Sequence, residues 1–160
     1  VLLGEADAQS VIINLESTPG LALMPSNQDL TAAEVRLLTT MAGRELRLRN
    51  ALKPIYDQYE VILIDCPPAL NMLTVNGFAA ADAVIIPMQC EYYALEGLSD
   101  LVGTLRKVKQ NLNPRIEIEA LVRTMYDPRS TLTVQVSDEL KRHYGEKVIP
   151  AIAESVLAKS

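Results

Sequence analysis

Hydrophobic residues in this chain follow two different periods, and the alternation between them predicts the fold. Behind "TAAE" (Thr31 to Glu34), apolar residues recur at Val35, Leu38, Ala42, Leu46 and Leu52, the spacing of one helical face. "TAAE" itself reads as a capping box, and Pro54 limits the helix at its far end. "LALMPSN" (Leu21 to Asn27) reads as a short strand and turn. Then "VILI" (Val61 to Ile64) runs without a polar interruption into Asp65. Continuous β-branched runs belong to parallel strands covered on both faces. The signature returns at "AVIIPM" (Ala83 to Met88), more weakly at "IEIEALVRT" (Ile116 to Thr124), and briefly at "KVIP" (Lys147 to Pro150).

Helical patterns separate these runs. "LNMLTVNGFAAAD" has a small apolar face. A second helix places Leu95, Leu98, Leu101, Val102, Leu105, Val108 and Leu112 on one stripe and ends at Asn113-Pro114. A third carries Val136, Leu140 and Tyr144, with Gly145 at its C-terminal cap. The order predicts an α/β fold with a mostly parallel sheet and right-handed crossovers.

Composition narrows the class. The chain has 160 residues, 49% hydrophobic and 22% charged, enough apolar side chain for one domain with a true core. A net charge of −5 argues against a whole-surface nucleic-acid binder, though not against a local basic patch. No apolar run approaches the roughly 18 residues of a membrane span, and the first residues show neither Met nor a signal-sequence pattern. Cys66 and Cys90 both follow apolar runs and read as buried thiols of a reducing cytoplasm. With His143 as the one histidine, neither a His-based metal cluster nor a Ser-His-Asp triad can be assembled.

The candidate chemistry lies in "YEVILIDCPPAL" (Tyr59 to Leu70). Ligands of open α/β sheets gather at the carboxyl ends of the strands, where a strand ending at Asp65 would present its carboxylate. Pro67 and Pro68 fix the exit path and remove two N–H donors. The alternative is that Asp65 merely caps the helix beginning near Leu70.

"YEVILIDCPPALNMLTVNGFAAADAVIIPMQCEYYALEGLSDL", with "TMYDPRSTL" and "VIP", resembles the ParA/Soj chromosome- and plasmid-partitioning ATPases, relatives of MinD. That resemblance, from about Val1 to Pro150, implies an incomplete doubly wound fold with helices on both faces, of P-loop NTPase type. It makes Asp65, Cys66, Pro67 and Pro68 the Walker B and switch II segment, with Asp65 holding a water of the Mg²⁺ bound with ATP. It places Gln89, Glu91 and Tyr92 in a loop beside nucleotide and dimer interface. Thr124, Met125, Tyr126 and Pro150 become part of an adenine pocket, and Arg129 a contact to non-specific DNA. The implied partners are a second copy, nucleoid DNA and a ParB-like protein, in the cytoplasm and without a membrane. The basic cluster Arg106, Lys107 and Lys109 reads as the wet face of a helix.

One departure is informative. A P-loop needs G-x-x-x-x-G-K-[ST], and none of the seven glycines here is followed by Lys. Val1 resembles a point downstream of the family's P-loop and first strand, so the chain alone is expected to bind no ATP or Mg²⁺ and to lack ATPase activity. Loss of that strand is expected to make the Val61–Asp65 and Ala83–Met88 strands pair directly, or to leave the gap to another chain. Family sequence also looks absent between Pro150 and "AIAESVLAKS". Two alternatives stay open: a non-enzymatic interaction remnant of the same fold, and a MinD-like positioning ATPase. The second would need an amphipathic C-terminal helix with basic and bulky apolar faces, which "AIAESVLAKS" lacks.

Overall fold

The computed structural model describes residues 1–40 and 42–149. The expectations at Pro150 and at the junction after it lie outside the described residues. Two compact units divide at Ala81/Asp82.

The first unit holds α1 (Ala8–Val11), a two-stranded antiparallel ladder of β1 (Ile13–Asn14) and β2 (Ala22–Leu23), α2 (Asp29–Thr40), α3 (Arg47–Leu52) and α4 (Met72–Ala80). β2 answers the short strand expected at 21–27. The single long helix expected after Thr31 is instead two helices, for two reasons. Its start is set earlier by Asn27, whose side chain accepts from the Asp29 N–H and donates to the Asp29 carboxylate. The capping box does not form, because Glu34 accepts from Asn71 on α4. The helical path is then broken at Gly43, which adopts φ +64, a left-handed conformation that favours glycine. A short 3₁₀ turn, Arg44–Leu46, leads into α3. Asn76 on α4 fixes this break: its amide accepts from the Leu48 N–H and donates to the Arg44 and Met72 carbonyls, with its side chain fully buried. The buried face of α2 is consequently Ala33 and Leu37, while Val35 and Leu38, expected inside, are exposed.

The second unit holds β3 (Ala83–Gln89), α5 (Ala94–Asn111), β4 (Glu117–Thr124), α6 (Thr131–Tyr144) and β5 (Val148–Ile149). The strands form one parallel sheet in the order β3-β4-β5. Register runs from Ala83↔Glu117 to Gln89↔Thr124, with an irregularity after Val84 where Glu119 is the extra residue on β4. Ile86, Met88, Leu121 and Val148 on the sheet pack with Leu98 of α5 and Val136 and Leu140 of α6. The expected stripe of α5 supplies Leu95, Leu101 and Val102 around that core. Ser130 caps α6 by accepting from the Thr133 N–H, and Gly145 ends it as expected. The βαβαβ order of this unit confirms the α/β class.

The segment 61–65, expected as a strand, is where the structure differs most from expectation. Residues 61–65 join no ladder among the described residues. Among the described residues β3 pairs with β4 alone, so of the two expected responses to a missing neighbour the direct pairing with β3 is not found. Ile64 packs beside the cluster of Ala8, Leu52 and Ile55, but Val61 and Leu63 are 71% and 85% exposed. The sequence of a fully covered strand therefore stands without cover. Such segments template association. Replacing Val61 and Leu63 together with Lys should lower aggregation of the 160-residue chain, measured by light scattering, and shift its unfolding by no more than about 0.5 kcal/mol. Unchanged aggregation would show that these side chains are not the adhesive ones.

Candidate functional site

In the first unit, Asp65 precedes the two prolines and a turn into α4. Asp65 is exposed and makes no hydrogen bond or ion pair among the described residues. It does not cap α4: that position belongs to Asn71, whose side-chain oxygen accepts from the Thr74 N–H at 3.1 Å. Thr74 ties the turn down further, donating its hydroxyl to the Ala69 carbonyl at 2.6 Å. The capping alternative for Asp65 is thus removed, and so is the premise that it ends a paired strand. What remains is a carboxylate held by a rigid Pro67-Pro68 exit and by the neighbouring Cys66.

Cys66 is the contact that fixes the turn on α4. A Cβ at Gly77 would lie 2.7 Å from the Cys66 sulfur and 3.6 Å from an Ile64 methyl, so the turn packs on α4 in space that only glycine leaves open. Burial pushes the Cys66 thiol above its ordinary range, and the adjacent Asp65 charge adds to the rise. Cys66 is therefore a packed thiol whose surroundings disfavour the thiolate. Cys90, at the end of β3, is also raised by burial, with the Arg123 charge opposing.

In the second unit, Gln89, Glu91, Tyr92, Thr124, Met125, Tyr126 and Arg129 lie at or just beyond the carboxyl ends of β3 and β4. Gln89 and Thr124 are register partners at the ends of β3 and β4. Gln89 donates its side-chain N–H to the Met125 sulfur at 2.9 Å. Among the described residues Met125 is the non-glycine residue with positive φ (50), and it is 65% exposed, a costly backbone state for a side chain held out in solvent. Beyond Gln89, Glu91 is exposed and Tyr92 and Tyr93 meet edge to face, centroids 5.3 Å apart, both largely in solvent. Arg129 is not a bare cation. It grips Asp127 with two side-chain hydrogen bonds of 3.0 and 3.1 Å, and those bonds hold the Asp127 carboxyl below its usual range.

Sequence reasoning missed Arg123. It is buried on β4, donates to the Ser137 hydroxyl at 2.7 Å and to the Ile149 carbonyl at 3.4 Å, and lies 4.8 Å from the Tyr126 ring centroid. This guanidinium ties β4, β5 and α6 to the Tyr126 turn by neutral acceptors and a cation–π contact. Its signal was present as a lone cation in the apolar run "ALVRT".

A magnesium ion with phosphates takes one or two protein carboxylates and keeps several waters. Asp65, exposed and unengaged, fits such an outer role. No group of three or more His, Cys, Asp or Glu able to form a cage occurs among the described residues. Nor is any helix of the described residues long and apolar enough to cross a membrane.

Comparison with known proteins agrees with this architecture. A family profile described as "AAA domain" matches residues 1–118. The chromosome partitioning protein ParA of Caulobacter vibrioides (strain NA1000) is 47% identical over 154 residues, 95% of this chain and 57% of the relative. The sporulation initiation inhibitor protein Soj of Bacillus subtilis is 42% identical over 152 residues, 95% of this chain and 59% of Soj. Among solved structures, a cobyrinic acid a,c-diamide synthase from Mycobacterium smegmatis, with bound ATP analog and magnesium, superposes with a TM-score of 0.81 at 37% identity. That match covers 91% of this chain and 58% of the other. The chain thus spans somewhat more than half the length of these relatives. By the profile match over most of its residues, it belongs to the AAA-domain family, and along 95% of its length it is similar to the partitioning protein ParA and to Soj.

Proposed function

We propose that this chain is part of an ATP- and Mg²⁺-dependent partition switch that binds DNA as a dimer and answers to a ParB-like partner. The observation that carries the reading is the 47% identity to a chromosome partitioning ParA across nearly the whole chain. In this reading the chain is one partial ATPase domain. Asp65 holds a metal-bound water, and Cys66, Pro67 and Pro68 keep the carboxylate in place. Thr124, Met125 and Tyr126, with Pro150 after β5, line the base. Gln89, Glu91 and Tyr92 lie beside the nucleotide and the second copy, a role that suits the exposed Tyr92–Tyr93 pair. When bound, Mg²⁺ neutralises charge on the phosphates. The chain's own residues orient and position. With no G-x-x-x-x-G-K-[ST] among its 160 residues, the chain by itself hydrolyses no ATP.

Arg129 is the DNA contact in this reading, and Asp127 is its competitor, because the carboxylate must be given up when a phosphate is taken. Binding of full-length protein to labelled duplex of arbitrary sequence tests this. DNA should be held with ATP and Mg²⁺ and released with ADP. Arg129→Ala should weaken binding about tenfold and lower the salt slope by about one. Asp127→Asn should strengthen it. Equal binding with and without nucleotide would contradict the switch, and an unchanged salt slope would remove Arg129 from the contact.

A further inference from the structure

At the amino-terminal end of β4, away from the nucleotide-facing rim of this unit, α5, β4 and the end of α6 enclose a groove of about 420 Å³. Its floor includes Leu105 and Ile116, both buried. Three cations line it: Arg106 and Lys109 from α5, and Lys147 from the turn before β5. One lining carboxylate answers them. Glu117 pairs with Lys109 at 3.1 Å, and this pair with the nearby Lys147 holds the Glu117 carboxyl below its usual range. Lys147 donates to the Ile118 carbonyl at 2.5 Å, a bond that positions its ammonium without cancelling the charge. Arg106 is exposed and makes no hydrogen bond or ion pair among the described residues. His143, at the margin, is turned to Glu139 at 3.3 Å. Three cations against one carboxylate leave an excess of two positive charges, on a chain whose net charge is −5.

We infer that this groove binds an acidic peptide segment, its carboxylates on Arg106 and Lys147 and an apolar side chain on the Leu105–Ile116 floor. Two features favour a peptide over a nucleic-acid backbone. Duplex DNA is held by rows of cations meeting successive phosphates, and it gains nothing from an apolar floor. Glu117 also stands in the groove, where its carboxylate can accept the backbone N–H groups of a peptide, donors that a phosphate backbone lacks. Basic side chains around an apolar depression are a recurring way to recognise acidic motifs. The site is independent of the nucleotide reading, since none of its residues belongs to the proposed nucleotide or DNA contacts.

The test uses full-length protein and three fluorescent probes in parallel: an octapeptide alternating Glu and Leu, one alternating Lys and Leu, and a 20-base-pair duplex. The Glu/Leu peptide should bind saturably and weaken with salt. Arg106→Glu should lower its affinity tenfold or more and should raise that of the Lys/Leu peptide, a reversal that a structural role for Arg106 would not produce. Thermal melts of the variant confirm its fold, and Arg106→Gln, expected to lose affinity without the reversal, serves if the charge reversal does not fold. Absence of saturable Glu/Leu binding, or affinity unaffected by either variant, overturns the proposal. Duplex binding that falls on Arg106→Glu while the Glu/Leu peptide fails to bind overturns it as well, and makes the groove a nucleic-acid surface.

Discussion

Asp65→Asn in the full-length protein should lower Mg²⁺-dependent ATP turnover by about two to three orders of magnitude, the usual loss when one preorganised polar group of a phosphoryl-transfer site is removed. Asp65 contributes nothing visible to the stability of the fold. It is exposed, caps no helix, and has no hydrogen-bond partner among the described residues. An acid placed for stability would be paired; this one precedes a half-buried thiol and two prolines that restrict the path of the chain. Because nothing in the fold depends on it, the substitution should leave the unfolding free energy within about 0.5 kcal/mol of the parent. Activity should therefore fall without a fall in stability. Turnover that survives intact would remove Asp65 from the chemistry, and a large stability loss would make it structural after all.

Gly77→Ala should destabilise the protein by about 1–3 kcal/mol, the range for inserting a methyl into a filled space. The added carbon would lie 2.7 Å from the Cys66 sulfur, a distance at which something must shift. Helix α4 is anchored by Asn71 at its start and by the fully buried Asn76 within it, so the movable partner is the turn that carries Asp65. The substitution should thus displace the carboxylate as well as cost stability. Cys66→Ala removes the obstructing sulfur, and the double variant should recover at least about 1 kcal/mol relative to the sum of the two single changes. Denaturant unfolding of the four proteins measures that coupling. Strict additivity would mean that Gly77 and Cys66 do not share the space assigned to them.

The second unit was legible in the sequence because its signals are local and its partners are its own. "AVIIPM" and "IEIEALVRT" sit next to each other in one ladder, and Leu95, Leu98, Leu101 and Val102 of the α5 stripe pack on their core. The first unit was less so. Val61 to Ile64 carry the pattern of a covered strand, but a strand is made by its neighbours, and no neighbour is paired with it here. The helix after Thr31 failed on side-chain competition: Asn27 took the cap, Asn71 took Glu34, and Gly43 broke the path. At the candidate site, residue types and their order pointed to Asp65, and the family resemblance pointed to Gln89 and Thr124. The bidentate hold of Asp127 on Arg129 and the buried bonds of Arg123 depend on side-chain geometry that spacing does not encode.

The position of the Asp65 carboxylate relative to a metal ion is measured most directly by the crystal structure of the full-length protein with an ATP analog and Mg²⁺. A metal–water bond of about 2.1 Å followed by a hydrogen bond of about 2.7 Å should place an Asp65 oxygen roughly 4 Å from the ion, with one water between. An Asp65 side chain more than about 8 Å from the metal, or turned away from the phosphates, would contradict the role proposed for Asp65.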